Sequence, residues 1–232
     1  GARQDYDKAL ALSPTAGNFM ARASFQRSSM KNWKAALDDA TKAVELDPSD
    51  DAGPLFLASL KAEYGDRAGA LGDYNQAINL NPNAVNYRQR ASFKKDKLND
   101  LAGALDDATK AIEVSPDEAE GYTYRAEIKL ALKDKNGAKQ DYQELIGRNP
   151  SSENYRKRAY FLRYSLDDLP GAEAELNQAI KLSPNDPDNY EARAGIRLAL
   201  KNKEGALQDY AQIIKLYPSA ASYMKRASFK SG

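Results

Sequence analysis

Histidine and cysteine are both absent from the 232 residues. Without imidazole there is no side chain that titrates near neutrality, so histidine general bases and histidine-dependent triads are excluded. Without a thiol there is no cysteine nucleophile, no disulfide and none of the Cys/His sets that build most structural zinc sites. A carboxylate-only active site remains open in principle, and so does the redox compartment. An excess of one charge is missing too: 34 Lys and Arg stand against 33 Asp and Glu. A near-neutral chain has no overall field to draw it to nucleic acid or an anionic membrane. Long apolar runs are also missing. The longest, around Pro54 to Leu60, is far below the roughly 18–20 residues of a membrane span.

What the chain does have is a period. Pro14, Pro48, Pro82, Pro116, Pro150, Pro184 and Pro218 fall on a strict 34-residue step. Ala2, Ala36, Ala70, Ala104, Ala138, Ala172 and Ala206 keep the same step. A fixed period of this size marks a stack of similar small units rather than one or two globular domains. Each period holds two stretches of helical spacing, such as Tyr122 to Leu130 and Ala138 to Ile146, separated by a short polar break. Apolar or small residues three and four apart share one helix face. The closing proline lacks an amide donor and disfavours helix in the residue before it. Pro54, Pro170 and Pro187 fall in expected first turns, where a missing donor is tolerated. The reading is helix A, tight turn, helix B, stop, repeated.

This pattern resembles the tetratricopeptide repeat over the whole chain. The leading aromatic of helix A is matched by Phe19, Tyr87, Tyr122, Tyr155, Tyr190 and Tyr223, with Pro54 the exception. The small residue of helix A is alanine in every copy: Ala23, Ala58, Ala91, Ala126, Ala159, Ala194 and Ala227. The resemblance implies an all-α, right-handed superhelical α-solenoid of antiparallel helix pairs. Six full repeats are expected, at about 16–50, 51–83, 84–118, 119–151, 152–186 and 187–219. An orphan helix B precedes them at 1–14, and an orphan helix A follows at 220–232. Open ends without polar caps are expected of a piece of a longer solenoid, or of ends that stack on another molecule. No signal peptide is visible, which carries no weight because Gly1 falls inside a repeat.

The physics of these positions does not need the family name. Small residues at a helix crossing let the axes approach, and a larger side chain there overpacks by about 1–3 kcal/mol. The alanine and aromatic stripes are therefore read as packing. A second order appears at 68 residues: Asn18 to Phe25, Asn86 to Phe93, Asn154 to Phe161 and Ser222 to Phe229 are successive copies. The alternate copies carry Tyr74, Tyr142 and Tyr210 in helix B, where the others have Ala40, Ala108 and Leu176. The copies with the small residue have one extra residue between their helices, 13 rather than 12 from alanine to alanine. Phe25, Phe93 and Phe161 are expected to compensate for the lost volume, as after duplication of a two-repeat unit. The recurring glycines that open helix B (Gly69, Gly103, Gly137, Gly171 and Gly205) reflect close packing or turn geometry, not a phosphate loop.

Helix A carries Arg before its alanine at Arg22, Arg90, Arg125, Arg158, Arg193 and Arg226, with Leu57 the exception. Helix B carries Asp39, Asp107, Asp141, Glu175 and Asp209, and Asp73 is left without its Arg. This is either a basic ladder for an acidic ligand or an internal Arg–carboxylate pair in each copy. Recurrence in nearly every repeat favours the pair, since Arg's planar fork suits bidentate pairing.

The family's ligands lie on a concave surface formed mainly by helix A. Carried onto this chain, the resemblance implies a peptide- or partner-binding groove that includes Arg88, Lys95, Tyr124, Glu127, Arg156, Lys157, Tyr160 and Arg163. A basic, aromatic-studded groove suits an acidic or C-terminal peptide; the alternative is a solvated charged face. The family's carboxylate clamp for chaperone tails is not expected. Its matching positions read Arg88, Ser92, Tyr124, Glu153 and Lys157, without either asparagine. The sequence thus predicts a non-enzymatic protein-interaction scaffold without cofactor or metal, binding protein or peptide rather than nucleic acid or membrane. End-to-end self-association through the terminal helices is the alternative.

Overall fold

The structure, a computed structural model, describes residues 1–231, with side chains to residue 228. The described residues form helices and no strands. In order these are α1 (Ala2–Leu12), α2 (Ala16–Ser28), α3 (Trp33–Leu46), α4 (Ala52–Tyr64), α5 (Arg67–Leu80) and α6 (Ala84–Phe93). A π-helical turn (Lys94–Leu98) leads to α7 (Leu101–Val114), α8 (Ala119–Ala131), α9 (Lys135–Arg148), α10 (Ser152–Leu166) and α11 (Leu169–Leu182). Then follow α12 (Pro187–Ala199), α13 (Lys203–Leu216) and α14 (Ala220–Ser231). The chain divides into two compact units, Gly1–Ile128 and Lys129–Gly232. In the first, α2 packs on α3, α4 on α5 and α6 on α7; in the second, α10 packs on α11 and α12 on α13. This is an all-α fold of the helical-solenoid type.

Within each unit the alanines of a helix pair sit where its two helices cross. Ala23, Ala58, Ala91, Ala126, Ala159 and Ala194 of helix A, and Ala36, Ala70, Ala104, Ala138, Ala172 and Ala206 of helix B, have 0% exposure. A side chain of one carbon leaves nothing to hold the helices apart. Ala2 and Ala227, in the first and last helices, are exposed.

The turn between helix A and helix B repeats to the residue. Asn32, Asp66, Asp100, Asp134, Asp168 and Asn202 each cap helix B by accepting the amide of its third residue. The residue before each cap has positive φ: Lys31, Gly65, Asn99, Lys133, Asp167 and Lys201. Glycine at the third helical position answers to the cap: a Cβ on Gly103 would lie 2.2 Å from Asp100 Oδ2. The extra residue of alternate copies is absorbed at the end of helix A. Asp66, Asp134 and Asn202 close back on the fifth residue before them, on Lys61, Lys129 and Arg197. Asn32, Asp100 and Asp168 close on the sixth, on Gln26, Lys94 and Leu162. In one of these three the wider loop becomes the π-helical turn, the form that one surplus residue takes in a helix.

The expected aromatic compensation takes a different form. Phe25, Phe93 and Phe161 pack on Tyr6, Tyr74 and Tyr142 of the preceding helix B, with ring centroids 5.2, 5.2 and 4.7 Å apart. The large residues of the two repeat types meet across the repeat boundary. The side chain of Phe229 lies outside the described residues.

The Arg–carboxylate ladder is internal. Arg22 Nε and Nη2 donate to the two oxygens of Asp39, both at 2.7 Å. Arg90 grips Asp107 at 2.9 and 2.6 Å, and Arg193 grips Asp209 at 3.1 and 2.5 Å. Each guanidinium also lies 5.7–5.9 Å over the ring three residues before it, Phe19, Tyr87 or Tyr190. Glu175, one methylene longer than Asp, breaks the pattern. Only Arg158 Nη2 bonds it, at 2.6 Å, and Arg158 Nε is buried without an acceptor among the described residues.

Asp73, left without its Arg, pairs with a lysine instead. Lys61, a helical turn past the missing Arg, brings Nζ to 2.7 Å from its Oδ2. Oδ2 is buried, and no other donor reaches it among the described residues. Burial therefore outweighs Lys61 and holds the Asp73 carboxyl above the usual range.

Asp107 is 3% exposed and faces Arg90 and also Lys94, at 2.9 Å. Asp107→Ala strands both cations and is expected to cost about 3 kcal/mol. Exposed Asp106→Ala should stay within about 0.5 kcal/mol, and loss of the cap in Asp100→Ala should cost about 1 kcal/mol. Melting temperatures of the three variants check the order; an unchanged Asp107→Ala rejects the pairing.

Candidate functional site

The helix A residues predicted to bind a partner lie in both units. In the first unit, Arg88 on α6 is ion-paired with Glu118, the residue just before α8. Lys95 stands in the π-helical turn with Nζ 5.1 Å from the centre of the Tyr124 ring, within range of a cation–π contact. Tyr124 lies on α8 against the cluster of Ala91, Ala104, Ala108 and Ile128. Its hydroxyl is buried and has no hydrogen-bond partner among the described residues. Ser92 is close enough to act on the phenol, yet gives its proton to Asp96 at 3.0 Å. Burial consequently pushes the Tyr124 phenol up to about 12, with Ser92 pulling the other way. Glu127 is exposed on α8.

In the second unit the predicted residues share a helix, α10. Arg156 Nη1 bridges Asp186 Oδ2 and Asn189 Oδ1, each at 2.8 Å. Lys157 pairs with Glu153 one turn back, at 2.9 Å. Tyr160 packs at 6.2 Å from Tyr164, and the Arg163 guanidinium lies 4.7 Å over the Tyr164 ring. Arg163 has no carboxylate partner among the described residues. Arg156, Tyr160, Arg163 and Tyr164 form one wall of a cleft of about 270 Å3, and Asp188, Glu191 and Gly195 of α12 lie on the other. Gly195 leaves room there: a Cβ would stand 3.2 Å from Arg163 Nη1. Glu191 is drawn off by Lys225 of α14. Burial raises the Tyr160 phenol, opposed by Arg156.

The structure thus brings Arg156, Tyr160 and Arg163 to one cleft, and Lys95 to Tyr124. Arg88, Arg156 and Lys157 are engaged by Glu118, Asp186 and Glu153, so the surface is less basic than its residue types imply. Tyr164 is 70% exposed and was not among the predicted residues. Its signal was its place one helical turn after Tyr160. No group of potential metal ligands occurs among the described residues, and no described helix is long and apolar enough to cross a membrane.

Residues 120–152 and 192–220 match the sequence model of the tetratricopeptide repeat family. Those two segments, about a quarter of the chain, are similar to the tetratricopeptide repeat, and the helix pairs described above have the same form. No curated protein sequence matches it. Among solved structures it is similar to yeast Tom70 at 18% identity and a TM-score of 0.66, over 99% of this chain and 50% of that one. The chain therefore spans half of that relative's length. A tetratricopeptide repeat protein from Parabacteroides merdae is similar at 20% identity and a TM-score of 0.58, over 100% of this chain and 91% of that one. YrrB, described as a tetratricopeptide repeat protein with an unusual peptide-binding site, is similar at 18% identity and a TM-score of 0.52, over 82% of this chain and 97% of that one. Likeness at this identity is likeness of fold. The chain has the helix-pair architecture of a repeat scaffold.

The raised Tyr124 phenol has a checkable sign. Its folded pKa of about 12 lies above the ordinary value of 10.0. Its contribution to stability is thus complete below the unfolded pKa and lost as pH rises through the folded one. Tyr124→Phe should remove a late transition near pH 12 from a tyrosinate absorbance titration. Having no orphaned hydroxyl to bury, it should also melt no lower than the parent at neutral pH.

Proposed function

We propose that the chain is a protein-interaction scaffold that takes a peptide or partner segment on its helix A surfaces. The observation that carries this reading is the α10–α12 cleft. Arg163 rests there on Tyr164 with its guanidinium free of any described carboxylate, beside Tyr160 and opposite the small Gly195. A cation spread over aromatic faces, with hydrogen-bond donors left over, suits an acidic side chain or a terminal carboxylate. Tyr160, 40% exposed, adds a flat amphipathic contact. Arg156 lines the same cleft, and Lys157, paired with Glu153, follows it on α10. In the first unit, Arg88, Lys95, Tyr124 and Glu127 are the corresponding contact residues. The peptide-binding site named for YrrB is consistent with this use of the fold.

A second reading, self-association, is favoured by exposed apolar side chains on the terminal helices: Leu12 is 88% exposed and Met224 73%. Light scattering across a concentration series separates the two, because a monomer at high concentration sinks assembly and leaves the peptide reading intact.

Fluorescence anisotropy with labelled acidic, neutral and basic decapeptides tests the first reading. The acidic peptide should bind most tightly and weaken as salt screens it. Arg163→Glu should cut its affinity at least about tenfold, or about 1.4 kcal/mol. Equal binding of the three peptides, or indifference to Arg163→Glu, overturns the assignment.

A further inference from the structure

Of the six turns that join helix A to helix B, four carry a cation at the end of helix A that lies across the start of helix B. Lys61 reaches Asp73 at 2.7 Å, Lys94 reaches Asp107 at 2.9 Å, Lys129 reaches Asp141 at 2.9 Å and Arg197 reaches Asp209 at 3.0 Å. Three of them also donate to the carbonyl of the third residue of helix B. The acceptors are Gly103, Gly137 and Gly205, at 3.3, 3.3 and 3.1 Å. The same sequence position in the other two turns holds Gln26 and Leu162. Both of those turns have a cleft. The cleft of the first unit, about 180 Å3, is bounded by Asp7, Arg22, Phe25, Gln26, Met30 and Ala35 among others. Its counterpart in the second unit, about 260 Å3, has Leu162 for Gln26 and Gln143 for Asp7.

The first of these clefts is short of one positive charge. Asp39 and Asp7 share a single guanidinium, that of Arg22, at 2.7 Å each. Asp107 and Asp209 each face two cations at 3.0 Å or less. Arg3 offers little relief, since it comes only to 4.0 Å from Asp7 and its side chain is 72% exposed. Independently, Gln26 Oε1 is buried and accepts no hydrogen bond among the described residues. An orphaned buried acceptor marks a place built to receive a donor.

We propose that this cleft binds the ammonium of a lysine side chain presented by a partner protein. The ammonium takes the place that Lys94 occupies in its own repeat. Its three protons meet three acceptors: Asp39, the Ala35 carbonyl and Gln26 Oε1. Phe25 and Met30 line the cleft, and a four-carbon stem covers such apolar surface while its charged head pairs. The second-unit cleft has Gln143 in place of Asp7, Asp168 in place of Asn32 and no orphaned acceptor, so it serves as an internal comparison. The inference is independent of the α10–α12 cleft and stands or falls without it.

The test is a titration of the isotope-labelled chain with Nα-acetyl-lysine methylamide, followed by amide NMR shifts. Saturable shifts are expected at Ala35 and at the Gln26 side-chain amide, and none at Gly171 of the second unit. The norleucine analogue, which has the stem without the charge, should bind at least tenfold more weakly. The paired variant Gln26→Lys/Ala35→Gly supplies the missing cation internally, as in the sibling repeats. The glycine is needed because the stems of Lys61, Lys129 and Arg197 pass 3.0 Å from where a Cβ would stand on theirs. This variant should lose probe binding and melt higher than Ala35→Gly alone. Three results overturn the proposal: equal shifts with norleucine, no gain in melting temperature for the paired variant, or tighter saturation by putrescine, which would mark a site for free polyamines.

Discussion

Where helix A crosses helix B, two alanines meet without solvent exposure: Ala91 and Ala104 share one core cluster, and Ala194 and Ala206 share another. That short interaxial distance has consequences beyond packing. It brings the Arg beside the helix A alanine within reach of a carboxylate on helix B, so the fork of Arg90 can close on both oxygens of Asp107. A bulkier residue at the crossing would strain the core and also open the ion pair. Two charges so little exposed are tolerable only because the geometry satisfies nearly every donor and acceptor. Arg158 shows what one extra methylene does: with Glu175 as its partner, Nε is left without an acceptor.

The second constraint is the turn. A residue of positive φ followed by an Asp or Asn cap appears in all six described A-to-B turns. It aims helix B back along helix A and places a helix N-terminus beside the last turn of helix A. That juxtaposition is why a cation at this last turn finds both a carboxylate and a backbone carbonyl. Where the cation is replaced by Gln26, the acceptors remain and a cleft results.

With helix pairs held this firmly, function falls to the faces left over. On helix A those faces are more neutral than a count of their cations indicates. Arg88 and Arg156, 68 residues apart, each pair with a carboxylate 30 residues further on, Glu118 and Asp186. Such pairs tie one helix A to the start of the next and serve the stack before any ligand. The cation that stays available is Arg163, resting on Tyr164, whereas Lys95 stands between the Tyr124 ring and Asp96, 3.6 Å away.

The helices, their order and the crossing alanines were legible in the chain, because they follow from spacing along a single helix and a period of 34 residues. The Arg–carboxylate ladder was legible for the same reason, since recurrence at fixed separation stands in for contact. The partner of Asp73 was not, because Lys61 substitutes from the next helical turn and only the fold shows that both positions reach one carboxylate. Nor was the meeting of Phe93 with Tyr74, or the conversion of a surplus residue into a π-helical turn. Local periodicity governs backbone form, and sequence carries it directly. Which charges neutralise one another, and which acceptors are left without a donor, depends on distances between segments, and those exist only once the helices have packed.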